Sequence, residues 1–420
     1  MRISTSTIYE SGIRAMQQQT EKLMQVQQQI SSGRRILTPA DDPVAAARVL
    51  EVSQSQSINA QYATNNGSAS DSLTLEESTL GSITTLLQNV RDISVNAGDP
   101  TLNQSDRASL ATALRGSYQD LLGLANSTDA GGQYLFSGYQ GGTRPFSESA
   151  PGVVAYNGDQ GQRLIQVSSS RQIAVSDSGA DVFQRIPNGN GSFATQAAGN
   201  GGTGVIDSGT VLDPAKWNAV GNHKDYTVKF SVSGGVTSYD IIDNVSGKSL
   251  LTGAAPGAAP YPRTYTSGSN IDFSQAGPPA FDFGARLSIA GAPADGDSFT
   301  VKASTNQDVF KTIDDLANLL QTSSSNAALT NGLTALQRNL DNALENVSTV
   351  RSSTGSRMKE LDLVKSVGDN RALQYSQTIS SLQDVDYARA ASELTQQQVN
   401  LEAAQKSFAK VSGLSLFNYL

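Results

Sequence analysis

Leu333, Leu340, Val347, Thr354 and Leu361 stand seven residues apart, and Leu329, Leu336, Ala343, Val350, Arg357 and Val364 keep the same interval along the adjacent edge. A seven-residue repeat held this long describes a long helix whose narrow apolar seam meets another helix. The N-terminal part of the chain offers a partner. Leu73, Leu80 and Leu87 are seven apart, as are Ile83, Val90 and Ala97, in a stretch that starts near Val44 and reaches Ala97. Gly98-Asp99-Pro100 stops it, and a third helix follows with Leu110, Leu114, Leu121 and Leu124 on one side. A short helix with Phe310, Ile313, Leu316 and Leu320 precedes the C-terminal seam. The seams at 68–98 and 329–365 read as intramolecular core.

The outermost stretches carry thinner stripes. Ile13, Met16, Thr20, Leu23, Gln27 and Ile30 follow a 3-4-3-4-3 spacing, with Gln at 17–19 and 27–29 on the other faces. Ser31-Ser32-Gly33 ends that helix, and Asp42-Pro43 provides the cap and first position of the next. Near the C-terminus, Asp384 is placed to cap a last helix with the stripe Ala391, Leu394, Gln398, Leu401, Ala404, Phe408 and Val411. Leu414, Leu416, Phe417 and Leu420 add an apolar tail. One thin stripe on a polar helix does not repay nucleation, so these ends require partners. The expected assembly interface is therefore Ile13, Met16, Leu23, Val26 and Ile30 with Leu394, Leu401, Phe408, Val411, Leu414, Leu416, Phe417 and Leu420.

Between the helical ends, residues 131–305 hold most of the Gly, Pro and aromatic residues. Strands are expected at 153–156, 163–167 and 172–175. A hairpin is expected at 226–232 and 236–242 around Gly234-Gly235, and a second pairs 286–289 with 298–303. Residues 187–204 read as a flexible glycine-rich loop. The fold class is mainly α with an inserted β domain, a long antiparallel helical bundle or coiled coil built from both chain ends.

Chemistry is scarce. There is no Cys and one His, His223, in a polar loop where a solvated side chain is the ordinary reading. Thiol nucleophiles and Cys- or His-based zinc sites lose their residues, and a triad would need this one imidazole to be well placed. Asp41-Asp42 reads as a helix start, Asp295-Gly296-Asp297 as a tight turn, and 199–204 lacks the strand and Lys-Ser/Thr of a phosphate loop. Trp217, Tyr226, Tyr239 and Tyr261 could stack sugars, but core positions suit them better. The net charge of −8 gives no electrostatic reason to bind nucleic acid or an anionic membrane, no apolar run spans a bilayer, and no signal-peptide core follows Met1. The expectation is a structural protein without catalytic residues, cofactor or metal.

The block from Ser31 to Ala47, with Thr38-Pro39-Ala40-Asp41-Asp42-Pro43-Val44, resembles the flagellin superfamily's signature for its first terminal helix, spoke and next helix start. Leu382 to Ala388 is similar to the start of that family's last helix. Gly132 to Tyr139 with Pro145-Phe146, Asp177 to Phe183, and the ending Ser412 to Leu420 resemble the family's junction members more than its filament subunits. Gln88 to Val95 is similar to the helix that contacts neighbouring protofilaments, which adds Arg91 to the interface.

The resemblance implies a subunit exported without a cleaved signal peptide, by the flagellar type III apparatus, and located extracellularly at the hook–filament junction. Implied partners are hook-associated protein 1, flagellin, copies of itself in a ring, a cytoplasmic export chaperone and the type III export gate. The implied division is 1–45 with 379–420 as terminal helices, disordered in the monomer; 46–180 with 306–378 as a helical core domain with a β-hairpin; and 181–305 as an outer β domain. Filament flagellin is the alternative, and an exported adhesin with flagellin-type ends is a second.

Overall fold

A computed structural model describes residues 5–413. Seven helices frame it: α1 (Thr5–Ser32), α2 (Pro43–Ala97), α3 (Gln104–Ala125), the single turn α4 (Pro214–Trp217), α5 (Val309–Thr322), α6 (Asn326–Gln383) and α7 (Tyr387–Gly413). The β structure lies between α3 and α5, so the expected fold class holds.

The chain forms two compact units. One comprises 1–66, 167–170 and 362–420, and the other 67–166 and 171–361.

In the larger unit, α2 realises its seam. Ala69, Leu73, Leu80, Ile83, Leu87, Val90 and Ala97 are buried at intervals of three, four or seven. On α6, Leu333, Leu340, Val347, Thr354 and Leu361 are all buried, so the seven-residue repeat is core. The two helices run antiparallel, held by Arg91 to Asp341 at 2.7 Å and Arg351 to Glu77 at 2.6 Å. Asn103 caps α3 by accepting from Ser105 and Asp106, whose carboxylate returns a bond to the Asn103 N–H. Phe310, Ile313, Leu316 and Leu320 of α5 enter the same core. Phe310 meets Phe146 at 5.3 Å and Phe183 at 5.7 Å between ring centroids. Hairpin strands Phe146–Ala150 and Val153–Tyr156 close this core, and further strands form at Leu164–Ser168 and Arg171–Ala174, near the expected bounds.

A second core belongs to two antiparallel sheets. The six-stranded sheet has the order Lys248–Ser249, Val236–Asp243, Asp225–Ser233, Ser298–Ala303, Phe193–Ala197, with Arg263–Thr264 also on Val236–Asp243. The four-stranded sheet joins Asn270–Gln275, Phe281–Ala290 and Val205–Ile206, with Thr210–Val211 also on Phe281–Ala290. Tyr226, Val228 and Phe230 from one and Ile271, Phe273, Leu287 and Ile289 from the other fill one cluster. Buried and less buried residues alternate along 225–230 and 286–289, as the pleat requires. The hairpin at Gly234-Gly235 forms as expected, both glycines at positive φ as the two-residue turn requires.

Two β expectations fail. The strands around 286–289 and 298–303 do not pair with each other. They belong to different sheets, and Gly291–Asp297 carries the chain between them. Asp297 fixes that crossing by accepting from the backbone of Gly201, Gly202 and Ala294. Nor is 187–204 one flexible loop. Phe193–Ala197 is a strand on Ser298–Ala303, because Phe193 is buried against Trp217.

Four asparagines of α6 hold the root of the β region. Asn331 accepts from the Ile206 N–H and donates to the Gly204 carbonyl, each at 2.9 Å. Asn339 accepts from the Gly189 N–H at 2.9 Å and donates to Gln307 at 3.0 Å. Asn342 donates to the Pro187 and Gly189 carbonyls, and Asn346 to those of Asp181 and Val182. A side-chain amide carries both donor and acceptor, so it satisfies backbone groups of either kind.

Candidate assembly interface

In the smaller unit, α1 and α7 lie antiparallel. Tyr9 meets Phe408, Gln19 is hydrogen-bonded to Gln397, and Val385 donates to the Gly33 carbonyl. These pairs fix the register, in which Met16 stands level with Leu401 and Leu23 with Leu394. The stripes thus turn toward each other within one chain.

Their detail differs from the spacing argument. On α1, Thr20 and Gln27 are exposed, while Gln19 is half-buried and Val26 is buried; Ile13, Met16, Leu23 and Ile30 are partly covered as expected. On α7, Ala391 and Gln398 are exposed. The inward line runs through Ala390, Leu394, Gln397, Leu401, Ala404 and Phe408. Each Gln run offers adjacent residues of one type, so sequence alone could not choose which faces inward. The chosen pair, Gln19 and Gln397, satisfies its amides mutually inside the seam. Gly12 is required opposite Phe408, whose ring would lie 2.6 Å from a Cβ there.

Asp384 is not the cap of α7. Asp386 is, accepting from the N–H groups of Ala388 and Arg389. Asp384 instead accepts from Ser380 and forms a β-bridge with Arg34. α6 continues to Gln383, which puts the helix start two residues later than the first Asp.

The connector between α1 and α2 is well tied. Arg35 donates its backbone N–H to the Gln383 carbonyl at 2.7 Å and its guanidinium to the Leu382 carbonyl at 2.7 Å. Asp41 accepts from the Thr38 and Leu37 N–H groups and from Gln25. The Thr38 backbone bond, then that of Leu37, holds its carboxyl below the usual range against some loss of hydration. Asp42 accepts from the Ala45 N–H and pairs with Arg35, which lowers its carboxyl likewise and confirms the expected cap.

Val411's side chain, Leu414, Leu416, Phe417 and Leu420 lie outside the described residues. Arg91 belongs to the larger unit, paired to Asp341 and half-exposed.

The decisive feature is how little the smaller unit encloses. Among the described residues, its only buried apolar side chains are Val26, Ile36, Ala45, Val167 and Ala390. It leaves Tyr9, Met24, Val44, Leu50, Ile58, Leu363, Val367, Leu373, Tyr387 and Val399 exposed, with Val44 at 80%. An open groove of about 220 Å³ lies between α2 and α6 in this unit, lined by Asn59, Tyr62, Val167, Leu363, Val367 and Arg371. Asn59 donates to the Gly368 carbonyl at its floor.

Among the described residues, no group of three or more His, Asp or Glu is placed to hold a metal. No described helix is long and apolar enough to cross a membrane. His223 is not simply solvated. Its Nδ1 lies 2.6 Å from Asp243, which also accepts from Ser246. Trp217, Tyr226 and Tyr239 are buried in the β core, which removes them as sugar platforms. The Tyr226 hydroxyl, desolvated there, is pushed up to about 12.

Comparison with known proteins bears on both ends. The family described as the bacterial flagellin N-terminal helical region matches residues 3–141, and the bacterial flagellin C-terminal helical region matches 338–420. Flagellar hook-associated protein 3 of Salmonella typhimurium is 29% identical over 417 residues, 99% of each chain. Polar flagellin F of Vibrio parahaemolyticus is 23% identical over 385 residues, 90% of this chain and 88% of that one. The crystal structure of the flagellar junction protein FlgL from Legionella pneumophila superposes with a TM-score of 0.69 at 29% identity, covering 80% of this chain and all of that one.

Proposed function

This chain belongs to the flagellin superfamily, and from that premise we propose that it is a structural subunit of the bacterial flagellum, seated where hook meets filament. The carrying observation is the contrast between the two units. The larger unit encloses two cores, whereas among the described residues the smaller one buries only five apolar side chains against ten large ones left exposed. Burying such a side chain returns about 1.5–3 kcal/mol. Ordering each backbone residue costs about 1–2 kcal/mol. The terminal helices therefore gain their full stability only when packed against further subunits.

In this reading the seam of Ile13, Met16, Leu23, Val26 and Ile30 with Leu394, Leu401 and Phe408 builds an inner layer in the assembled ring. Its neighbours are copies of the same chain, hook-associated protein 1 below and flagellin above. A chaperone and the type III export gate handle the chain before assembly. Residues 46–180 and 306–378 make lateral contacts, Arg91 among them, and 181–305 face outward. The role is mechanical and not enzymatic. The full-length likeness to a hook-associated protein favours the junction over the filament, since the flagellin relative is the less similar.

Deleting the gene and imaging the cells by electron microscopy tests this. The expected result is hooks without filaments, with unassembled flagellin in the medium. Normal filaments would overturn the assignment.

A further inference from the structure

Among its buried inward positions the α2 seam holds one titratable residue. Glu76 fills the inward position between Leu73 and Leu80 and is 1% exposed. On α6, Thr354 and Arg357 interrupt the facing seam. Arg357 does not reach Glu76. It donates to the Ala174 carbonyl at 3.1 Å and forms an ion pair with Asp177. Asp177 accepts also from Gln162 at 2.7 Å, and its backbone N–H donates to Glu76 Oε1 at 2.9 Å. Glu76 Oε2 is buried with no partner. The neighbouring Glu77 is held by Arg351. A core glutamate thus receives one backbone bond, with the Asp177 carboxylate beside it.

A bare carboxylate oxygen in an apolar seam is costly when ionised and tolerable when protonated. The site also joins three parts of the larger unit: α2, α6 and the segment 171–178.

We propose that Glu76 is a proton-operated lock on this junction: neutral, it lets segment 171–178 dock on the α2–α6 seam, and ionised, it loosens that docking. The charged groups facing it are Asp177 from that segment, Arg163 from just before the strand Leu164–Ser168, and Arg357 from α6. Burial and then the Asp177 charge push its carboxyl from 4.5 up to about 7, against Arg357 and Arg163, which favour the ionised form. The native state therefore binds this proton more tightly than the unfolded chain. The stabilisation is fully present below pH 4.5 and is lost as pH rises to about 7.

The test is urea unfolding of the full chain by far-UV circular dichroism from pH 5 to 8.5, for wild type and Glu76→Gln. The unfolding constant of wild type relative to Glu76→Gln should rise with pH, by up to roughly 300-fold between the two limiting states, and level off above 7. Hydrogen exchange at 171–178, corrected for intrinsic pH dependence, should lose protection over the same window in wild type only. Asp177→Asn removes the neighbouring negative charge and should move the midpoint down, which keeps the idea testable if Glu76→Gln does not fold. Equal pH slopes in wild type and Glu76→Gln, or an Asp177→Asn midpoint unchanged or moved up, would overturn the proposal.

Discussion

Tyr9 and Phe408, one from each end of the chain, meet with ring centroids 4.8 Å apart and planes tilted by 53°. The contact closes the far end of the α1–α7 seam, while both cores of the larger unit lie outside it. Phe408→Asp and Leu401→Asp should therefore abolish incorporation at the hook and leave the larger unit folded. Its unfolding free energy should change by less than about 0.5 kcal/mol, as for substitutions away from a core. Global unfolding of either variant in a calorimeter would make this seam ordinary core.

The Asn339 amide bridges the Gly189 N–H and Gln307, nearly buried. Asn339→Ala leaves the backbone donor of Gly189 and the Gln307 acceptor without that partner. The expected cost is about 1–3 kcal/mol, with new proteolytic cleavage near 188 or 305 and an intact β core. Asn331→Ala should behave alike at 204–206.

Phe310 is fully buried among Phe146, Phe183 and Tyr118. Phe310→Ala should cost about 3–5 kcal/mol through lost contacts and the cavity left behind. Denaturant unfolding should show this in the helical transition, at unchanged Trp217 fluorescence in the native state.

Asp240 is 1% exposed and accepts from Ser249 and the Ile241 N–H, with Oδ2 unpartnered. Burial raises its carboxyl above 3.8, only partly opposed by those two bonds. The folded state thus holds this proton more tightly, so its contribution is greatest below 3.8 and falls as pH rises through the raised value. Asp240→Asn should remove that pH dependence from β-domain unfolding, monitored through Trp217. An unaltered profile would mean that another group carries it.

The β domain hangs on a narrow stalk. Asn306 and Gln307 pair with Pro187 and Ile186, and Asn188 exchanges backbone and side-chain bonds with Ser304 and Thr305. Replacing 190–303 by a two-residue Gly-Ser turn should therefore leave the helical core folded and preserve export and motility. Loss of motility with normal export would reveal a further role for the excised part.

Much of this was legible from spacing. A seven-residue repeat states which residues of a helix share a face, and Leu333 to Leu361 are buried accordingly. Caps are equally local, so Asp42-Pro43 marked the start of α2, although Asp384 and Asp386 stood too close to separate. What spacing could not settle was choice among equals. Gln19 faces inward and Gln27 does not because only the partner helix can satisfy a buried amide. Pairing was also beyond it: 286–289 and 298–303 each read as strands, but which sheet receives a strand depends on contacts remote in sequence. The asparagines of α6 sit at intervals of eight, three and four, a signal of a shared face that polar residues rarely advertise. Glu76 and Arg357 stood at seam positions in plain view. The amino-acid sequence determined the helices, their seams and the family. Tertiary structure alone decided that one of those seam positions would hold a carboxylate with no charged partner of its own, because desolvation is a property of what surrounds a residue.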